Sequence, residues 1–311
     1  MAEISIEKIN GLALSSAAEL VNAEEKRYKD FTDGIADRVA KSENIKIVLL
    51  AGPSGSGKTT TANLLADDIR ARGLDCHVIS LDDFYRDSTD PAYPVLENGD
   101  RDFESVDALN IPELEKTLLD ISAGKEFFVP HYDFKIGGRT ELRKYDKISH
   151  GCVVIEGLHA LNPRISEHLP AEKLFRIFIS VSTNINKDGE RILSGRKLRF
   201  ARRMIRDSVY RGADAERTLS LWTNVLDGED KNLYPYRHLA DIDFNTFHAF
   251  EPGVMKSYVK ELISPELAKK NDYAATVLYG ISEAASIEED LVPADSLIRE
   301  FITGGIYEEF Y

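Results

Sequence analysis

Short apolar, β-branched runs alternate with segments of helical period along this chain, at 45–50, 77–80, 152–156, 175–181 and 239–244. That alternation predicts an α/β fold with a doubly wound, mostly parallel sheet. Between the first run and the helical segment 60–72 lies Gly52-Pro53-Ser54-Gly55-Ser56-Gly57-Lys58-Thr59. It meets the template G-x-x-x-x-G-K-[ST] without a mismatch, and in the strand–loop–helix setting that the template requires. Together these observations predict a P-loop NTPase fold, with a helical lid and helical N- and C-terminal extensions.

The loop carries its own chemistry. Its glycines let backbone N–H groups turn inward around a phosphate chain, and the following helix adds the positive end of its dipole. Lys58 is expected to reach the β- and γ-phosphates, and the Thr59 hydroxyl to ligate Mg²⁺.

The 311 residues allow one large domain, or one domain with appendages, at an ordinary 43% hydrophobic content. The formal net charge of -14 argues against a general nucleic-acid binder, which needs a basic face. The two cysteines, Cys76 and Cys152, lack metal-ligand spacing, and Cys152 heads an apolar run, as a buried small hydrophobe would. No signal-like N-terminus and no apolar run of ~18 residues stands in the sequence, so a cytoplasmic protein with no membrane span is expected.

Residues 1–44 form a helical N-terminal extension, with helices expected at 12–21 and 24–41 and no chemistry. The core is set at 45–250, with a lid near 196–236, and residues 251–311 form a helical C-terminal extension packed on the core. The second strand runs into Leu81-Asp82-Asp83-Phe84-Tyr85. Two acids just past a strand end lie where open α/β sheets place ligands, so one could take a hydroxyl proton. A helix cap or a solvated turn would read the same way. The segment 87–107 is rich in Asp, Pro, Gly and Asn and reads as a long loop. Residues 111–122 are an amphipathic helix. Phe127 to Arg139 mixes aromatic, polar and glycine residues, which suits a hairpin over a pocket or an ordinary hairpin. The run 152–156 ends in Glu156, near the expected Mg²⁺, and His159 follows as a structural hydrogen-bonder more readily than as a catalyst. In 199–206 the arginines 199, 202, 203 and 206 share one helical face. In an acidic chain such a face calls for an anion against it, either phosphates under a lid or acids elsewhere in the protein. Asn245 and Thr246 end the last strand on the adenine side, and helices are expected at 252–262, 274–283 and in the tail at 296–301.

The set of motifs resembles the uridine kinase/phosphoribulokinase family of P-loop kinases. The resemblance rests on Ser80-Leu81-Asp82-Asp83-Phe84-Tyr85, on Glu156-Gly157, on Arg199, Arg202, Arg203, Arg206 and Asp207, and on the segment 130–134, over roughly residues 45–250. A closer likeness, from about Glu24 to the tail 293–304, is to bacterial uridine kinase-like proteins often fused to TGS and threonyl-tRNA-synthetase-like domains. It rests on Asn98-Gly99-Asp100, Asp102-Phe103-Glu104, the segment 155–162 and Gly228-Glu229-Asp230-Lys231-Asn232. Those fused domains are missing here, so any role tied to them is expected to be absent.

The resemblance implies ATP and Mg²⁺ as cofactors and a small-molecule nucleoside as partner, with a homo-oligomer open. It makes Asp82, Lys58 and Arg202 catalytic, Asp82 being the base on the nucleoside 5′-hydroxyl. It gives nucleotide binding to Gly52, Ser54, Gly55, Ser56, Gly57, Lys58, Thr59, Thr60, Arg202 and Arg206. Substrate binding falls to Asp82, Tyr85, Glu104, Tyr132 and Arg199, and the metal to Thr59, Glu156 and Asp82. Two positions depart from the family pattern. The pocket histidine five residues beyond the tyrosine is Gly137 here, which leaves thymidine or another nucleoside open as acceptor. The acid usually found before the lid helix is replaced by Arg196 and Lys197. The expected activity is therefore ATP-dependent phosphorylation of a nucleoside, most simply a pyrimidine nucleoside in salvage. The alternatives are a kinase for a non-nucleoside hydroxyl compound and a non-catalytic nucleotide-binding regulator.

Overall fold

The computed structural model describes residues 2–96, 99–133 and 136–310. Asn98 and Phe134, which belong to two of the motifs above, lie outside the described residues. In chain order the elements are β1 Ala2–Ser5, α1 Ile6–Ala40, β2 Ile47–Ala51, α2 Lys58–Arg70, β3 Asp75–Ser80, α3 Ile111–Ser122, β4 Phe127–Asp133, β5 Gly138–Tyr145 and β6 Gly151–Glu156. They continue as α4 Pro163–Ser166, β7 Leu174–Ser180, β8 Thr183–Lys187, β9 Glu190–Leu193, α5 Gly195–Arg211, α6 Ala215–Asn232, β10 Ile242–Asn245, α7 Glu251–Leu262, α8 Pro265–Lys270 and α9 Asp272–Ser282.

The central sheet has the order β10-β7-β2-β6-β3, and every pairing in it is parallel. Both faces are covered, which explains why its strands are continuously apolar. Ile47, Leu49, Val153, Ile155 and Phe178 face one way and pack with Leu114 and Leu118 of α3. Val48, Leu50, Val154, Ile177 and Ile179 face the other way, onto Leu65 and Ile69 of α2 and Ile35 and Val39 of α1. This is the two-residue alternation of a pleated strand sorted into two layers.

The N-terminal extension differs from expectation. Two helical stretches joined across a kink at Ser16 (φ -161°, ψ 100°) make up α1, so the break falls at Ser16 and the chain runs helical through the expected gap at 22–23. Before it, β1 pairs with β8, and β8 with β9, in a small second sheet. Sequence patterning missed these strands because each is only four or five residues long, and β1 is held to β8 by a pairing between chain positions some 180 residues apart. Cys76 and Cys152 are free and buried, directly opposite on β3 and β6 with their sulfurs 4.0 Å apart. The end of the chain packs against α2, and its expected helix is a short 3₁₀ turn, Leu297–Glu300. Among the described residues, no helix is long and apolar enough to cross a membrane.

Candidate active site

The phosphate-binding loop leaves the C-terminal end of β2, the central strand, where open parallel sheets place their ligands. Gly57, in the left-handed region at φ 89°, turns the chain into α2. Among the described residues, the amides of Gly55, Gly57, Lys58 and Thr59 find no acceptor in the protein. They form the concave set of donors that an anion fills. Lys58 Nζ donates to the Pro53 carbonyl at 3.4 Å, folded back along the loop.

Three acids meet beside it. Glu156 lies across the ladder from both Leu50 of β2 and Ser80 of β3, so the sheet register fixes it between the loop and Asp82. Burial pushes the Glu156 carboxyl up to about 7, against the opposing pull of Lys58. Asp82 is open to the cleft yet ringed by protein. Desolvation raises its carboxyl above the usual range, while Lys58, Arg211 and Arg206 draw it down. Burial likewise pushes Glu104 up to about 7, against Arg203. Asp83, the other acid of the pair, turns away. Its oxygens meet His131 Nδ1 at 3.0 Å and Arg143 at 2.7 Å, so it ties the β4–β5 hairpin to the β3 turn.

These residues suit Mg²⁺ of the kind carried in by phosphates. No cluster of three His, Cys, Asp or Glu among the described residues could cage a metal alone. One hydroxyl, Thr59, and two carboxyls raised by burial despite the nearby Lys58 match an ion that keeps waters and phosphate oxygens as ligands.

The arginine helix is arranged differently from the phosphate-facing lid expected. Arg199 and Arg202 are 1% and 0% exposed. Arg199 donates to both oxygens of Glu229, at 2.7 and 2.8 Å, and to the Ser54 carbonyl at 2.8 Å. Arg202 donates to Glu251 at 2.7 Å, to the Gly55 carbonyl at 3.3 Å and to the Thr246 carbonyl at 2.7 Å. Their guanidinium groups are consumed by the carbonyl side of the loop and by two buried acids. The assignments of Arg199 to substrate and of Arg202 to phosphates and catalysis are corrected accordingly: both support the loop from behind. Arg206 stays on the cleft side, joined by Arg203 of the same basic face and by Arg211, to which sequence reasoning gave no role. Arg203 donates to the Ser54 hydroxyl at 2.9 Å. All three meet the one carboxylate of Asp207, at 3.2, 3.0 and 3.2 Å. Burial would raise Asp207, but the three arginines hold it below the usual range. The positive excess shows in Arg211, pushed down to about 10, first by the charge of Arg206 and then by burial. Such crowding of like charge marks a place built for an anion.

On the far side of Asp82 lies an aromatic group. Tyr85 stands 5.6 Å from Tyr132 and 6.4 Å from Phe103, and Tyr93 stands 5.6 Å from Phe103. The Tyr93 hydroxyl is buried without a hydrogen-bond partner among the described residues. Gly137 sits at φ +65°, and a Cβ there would lie 3.0 Å from the Ser88 hydroxyl, so the turn itself disfavours a side chain. His159, expected as a hydrogen-bonder, is buried with neither ring nitrogen partnered among the described residues, and burial lowers its pKa to about 4. Its ring is therefore neutral. Thr60, expected on the phosphate side, holds Glu300: its amide and hydroxyl donate to that carboxylate at 3.2 and 3.0 Å. Glu229 and Glu300 lie in segments that the resemblance covers, but their contact with the loop could not be read there, because each reaches it from a segment distant in sequence.

A parallel α/β sheet with this loop on its central strand, acids at the ends of β6 and β3 on one side of it and a basic cluster opposite defines a P-loop nucleotide-binding protein of the kinase type. The chain belongs to the Phosphoribulokinase / Uridine kinase family, whose model matches residues 47–249. A uridine kinase of Schizosaccharomyces pombe is 30% identical over 171 residues, which cover 55% of this chain and 33% of that protein. An inorganic pyrophosphatase, TTM2, of Arabidopsis thaliana is 28% identical over 207 residues, 66% of this chain and 25% of that protein. A uridine kinase of Staphylococcus aureus is 25% identical over 197 residues, 63% of this chain and 85% of that protein. The match thus spans a third or less of the first two proteins and most of the third.

Proposed function

We propose that the protein transfers the γ-phosphoryl group of ATP to the 5′-hydroxyl of a nucleoside, most simply a pyrimidine nucleoside. The observation that carries this reading is the placement of Asp82 between the loop lysine on one side and the aromatic group of Tyr85, Phe103 and Tyr132 on the other. Flat aromatic side chains suit the stacking of a nucleobase. Family membership and the two relatives named uridine kinase support the acceptor class.

In this reading the free amides of the loop and Lys58 hold the β- and γ-phosphates. Arg203, Arg206 and Arg211 face the transferring group, where charge spreads over its outer oxygens. Asp82 accepts the hydroxyl proton as the new bond forms, with Glu104 fixing the sugar. When bound, Mg²⁺, held by Thr59 and by Asp82 and Glu156, would neutralise phosphate charge. Most of the acceleration comes from positioning and preorganised charge, since phosphoryl transfer asks for little covalent work from the protein.

The test uses 5′-deoxyuridine, which lacks the reacting hydroxyl. Uridine is expected to drive ADP formation, and 5′-deoxyuridine to inhibit it without being consumed. ADP formation unaffected by either compound refutes the nucleoside reading.

A further inference from the structure

The two ends of the phosphate-binding loop are already capped by carboxylates of the protein itself. At one end, Glu229 accepts the Ser54 amide at 2.9 Å and is neutralised by Arg199. At the other, Glu300 accepts the amide and hydroxyl of Thr60 in the first turn of α2, and Arg206 stands 3.8 Å from its second oxygen. The two are not equivalent. Glu229 sits behind the loop, fully buried against a dedicated arginine. Glu300 sits on the anion-binding end of a 13-residue helix. In a loop of this kind the backbone donors beyond the lysine cradle the α-phosphate while the lysine reaches the β and γ groups.

We propose that Glu300 is a built-in competitor for the α-phosphate, and that residues 293–304 form a strap which a nucleotide must displace before it is fully bound. The strap is well made. Leu297 lies so close to Gly57 that a Cβ there would fall 2.5 Å from its Cδ1. Phe301 lies under the Arg202 guanidinium at 5.0 Å. The Ser296 hydroxyl donates to Glu25 of α1 at 2.5 Å. Arg299 gathers the segment by donating to the carbonyls of Glu289 at 2.9 Å and Val292 at 2.7 Å. With the strap down, Glu300 is 3% exposed, and a phosphate cannot share its donors. Outside the strap, Arg27 of α1 donates to the carbonyls of Asn245, at 3.1 Å, and of Phe247, along the edge expected to meet adenine. Closed and open states then compete, and affinity for nucleotide falls by the fraction of molecules that are open.

This inference rests on the kinase reading only in that the loop binds nucleotide; it is independent of the acceptor. Calorimetric titration of the intact chain and of Glu300→Gln with ADP and with inorganic pyrophosphate tests it. The glutamine keeps an oxygen for the Thr60 amide and removes the charge. Glu300→Gln is expected to bind ADP at least about tenfold more tightly, as for an open state populated at a tenth or less. Pyrophosphate, which can be held at the β and γ positions, should change by less than about twofold on the same reasoning. Unchanged or weaker ADP binding by the folded variant overturns the proposal, and so does an equal gain for pyrophosphate, which would mark a general charge effect. Hydrogen exchange of the wild-type protein gives a second readout that does not depend on the variant folding. ADP should speed exchange in 293–304, and slower exchange there overturns the strap. Absence of ADP binding by both proteins refutes the nucleotide reading and this proposal together. Tighter ADP binding without turnover of any nucleoside sustains the strap and refutes only the acceptor.

Discussion

Arg199 and Glu229 form a two-pronged pair inside the protein, at 2.7 and 2.8 Å, and the same carboxylate accepts the Ser54 amide at 2.9 Å. The first residue after the glycine and proline of the phosphate-binding loop is thereby shaped by a helix that ends some 175 residues later. Removing one member leaves the other as a buried, uncompensated charge. Arg199→Met is expected to cost about 3–5 kcal/mol in denaturant unfolding, and the double variant Arg199→Met/Glu229→Leu clearly less. A single variant that loses under about 1 kcal/mol would show that the pair is not what holds the loop.

The neighbouring acids Asp82 and Asp83 should separate cleanly. Asp82→Asn is expected to lower turnover by about 10²–10⁴-fold, the usual worth of a general base, with binding of Mg·ATP retained. Asp83→Asn releases His131 and Arg143 from the base of the hairpin, so it should raise the acceptor KM and spare kcat. Steady-state kinetics on both variants checks this, and a reversal of the two phenotypes would exchange their roles.

Tyr93 supplies a polar group beside the aromatic cluster, where the hairpin turn at Gly137 disfavours any side chain. Its buried, unpartnered hydroxyl is a cost to the protein alone and an offer to a ligand. Tyr93→Phe should leave the free protein at least as stable in thermal melts while weakening nucleoside binding about tenfold, the worth of one lost hydrogen bond. Equal nucleoside affinity in the variant removes Tyr93 from the pocket.

The acids of the cleft set a pH dependence. Glu156 and Glu104 are each pushed up to about 7, mainly by burial, and so are Glu25 on α1 and Glu251 on α7. A carboxyl raised on folding binds more protons in the native than in the unfolded state. Its contribution is therefore complete below its unfolded value and is lost as pH rises through its folded one. His159 and His248, both lowered by burial, act in the opposite sense, but only up to the unfolded imidazole value of 6.5. Between pH 6.5 and 8 the carboxyls alone remain, and the melting temperature of the ligand-free protein should fall. Glu104→Gln should flatten that fall. A melting temperature that rises across the same interval contradicts the assignment.

Much of the fold could be read from sequence because the central strands are buried on both faces and are therefore apolar throughout, as in Ile47-Val48-Leu49-Leu50 and Cys152-Val153-Val154-Ile155. The loop was legible because its glycines and Lys58 answer to a phosphate rather than to the rest of the chain. What stayed hidden is long-range. The pairing of β1 with β8 joins residues that neither periodicity nor turn chemistry links. Arg199 and Arg202 were identified as a cluster, but their partners Glu229 and Glu251 stand on α6 and α7, so the sequence could not distinguish a ligand-facing arginine from a buried one. Glu300 looked like an ordinary acid in a tail until packing placed it on Thr60.

The most direct test of the account is ADP release from Mg·ATP across uridine, cytidine, thymidine, deoxycytidine, adenosine, guanosine and inosine, with a no-acceptor control. Release is expected to be stimulated by a pyrimidine nucleoside and lost in Asp82→Asn. ATP bound by the loop with no stimulation by any nucleoside would contradict it, and would move the acceptor outside the nucleosides.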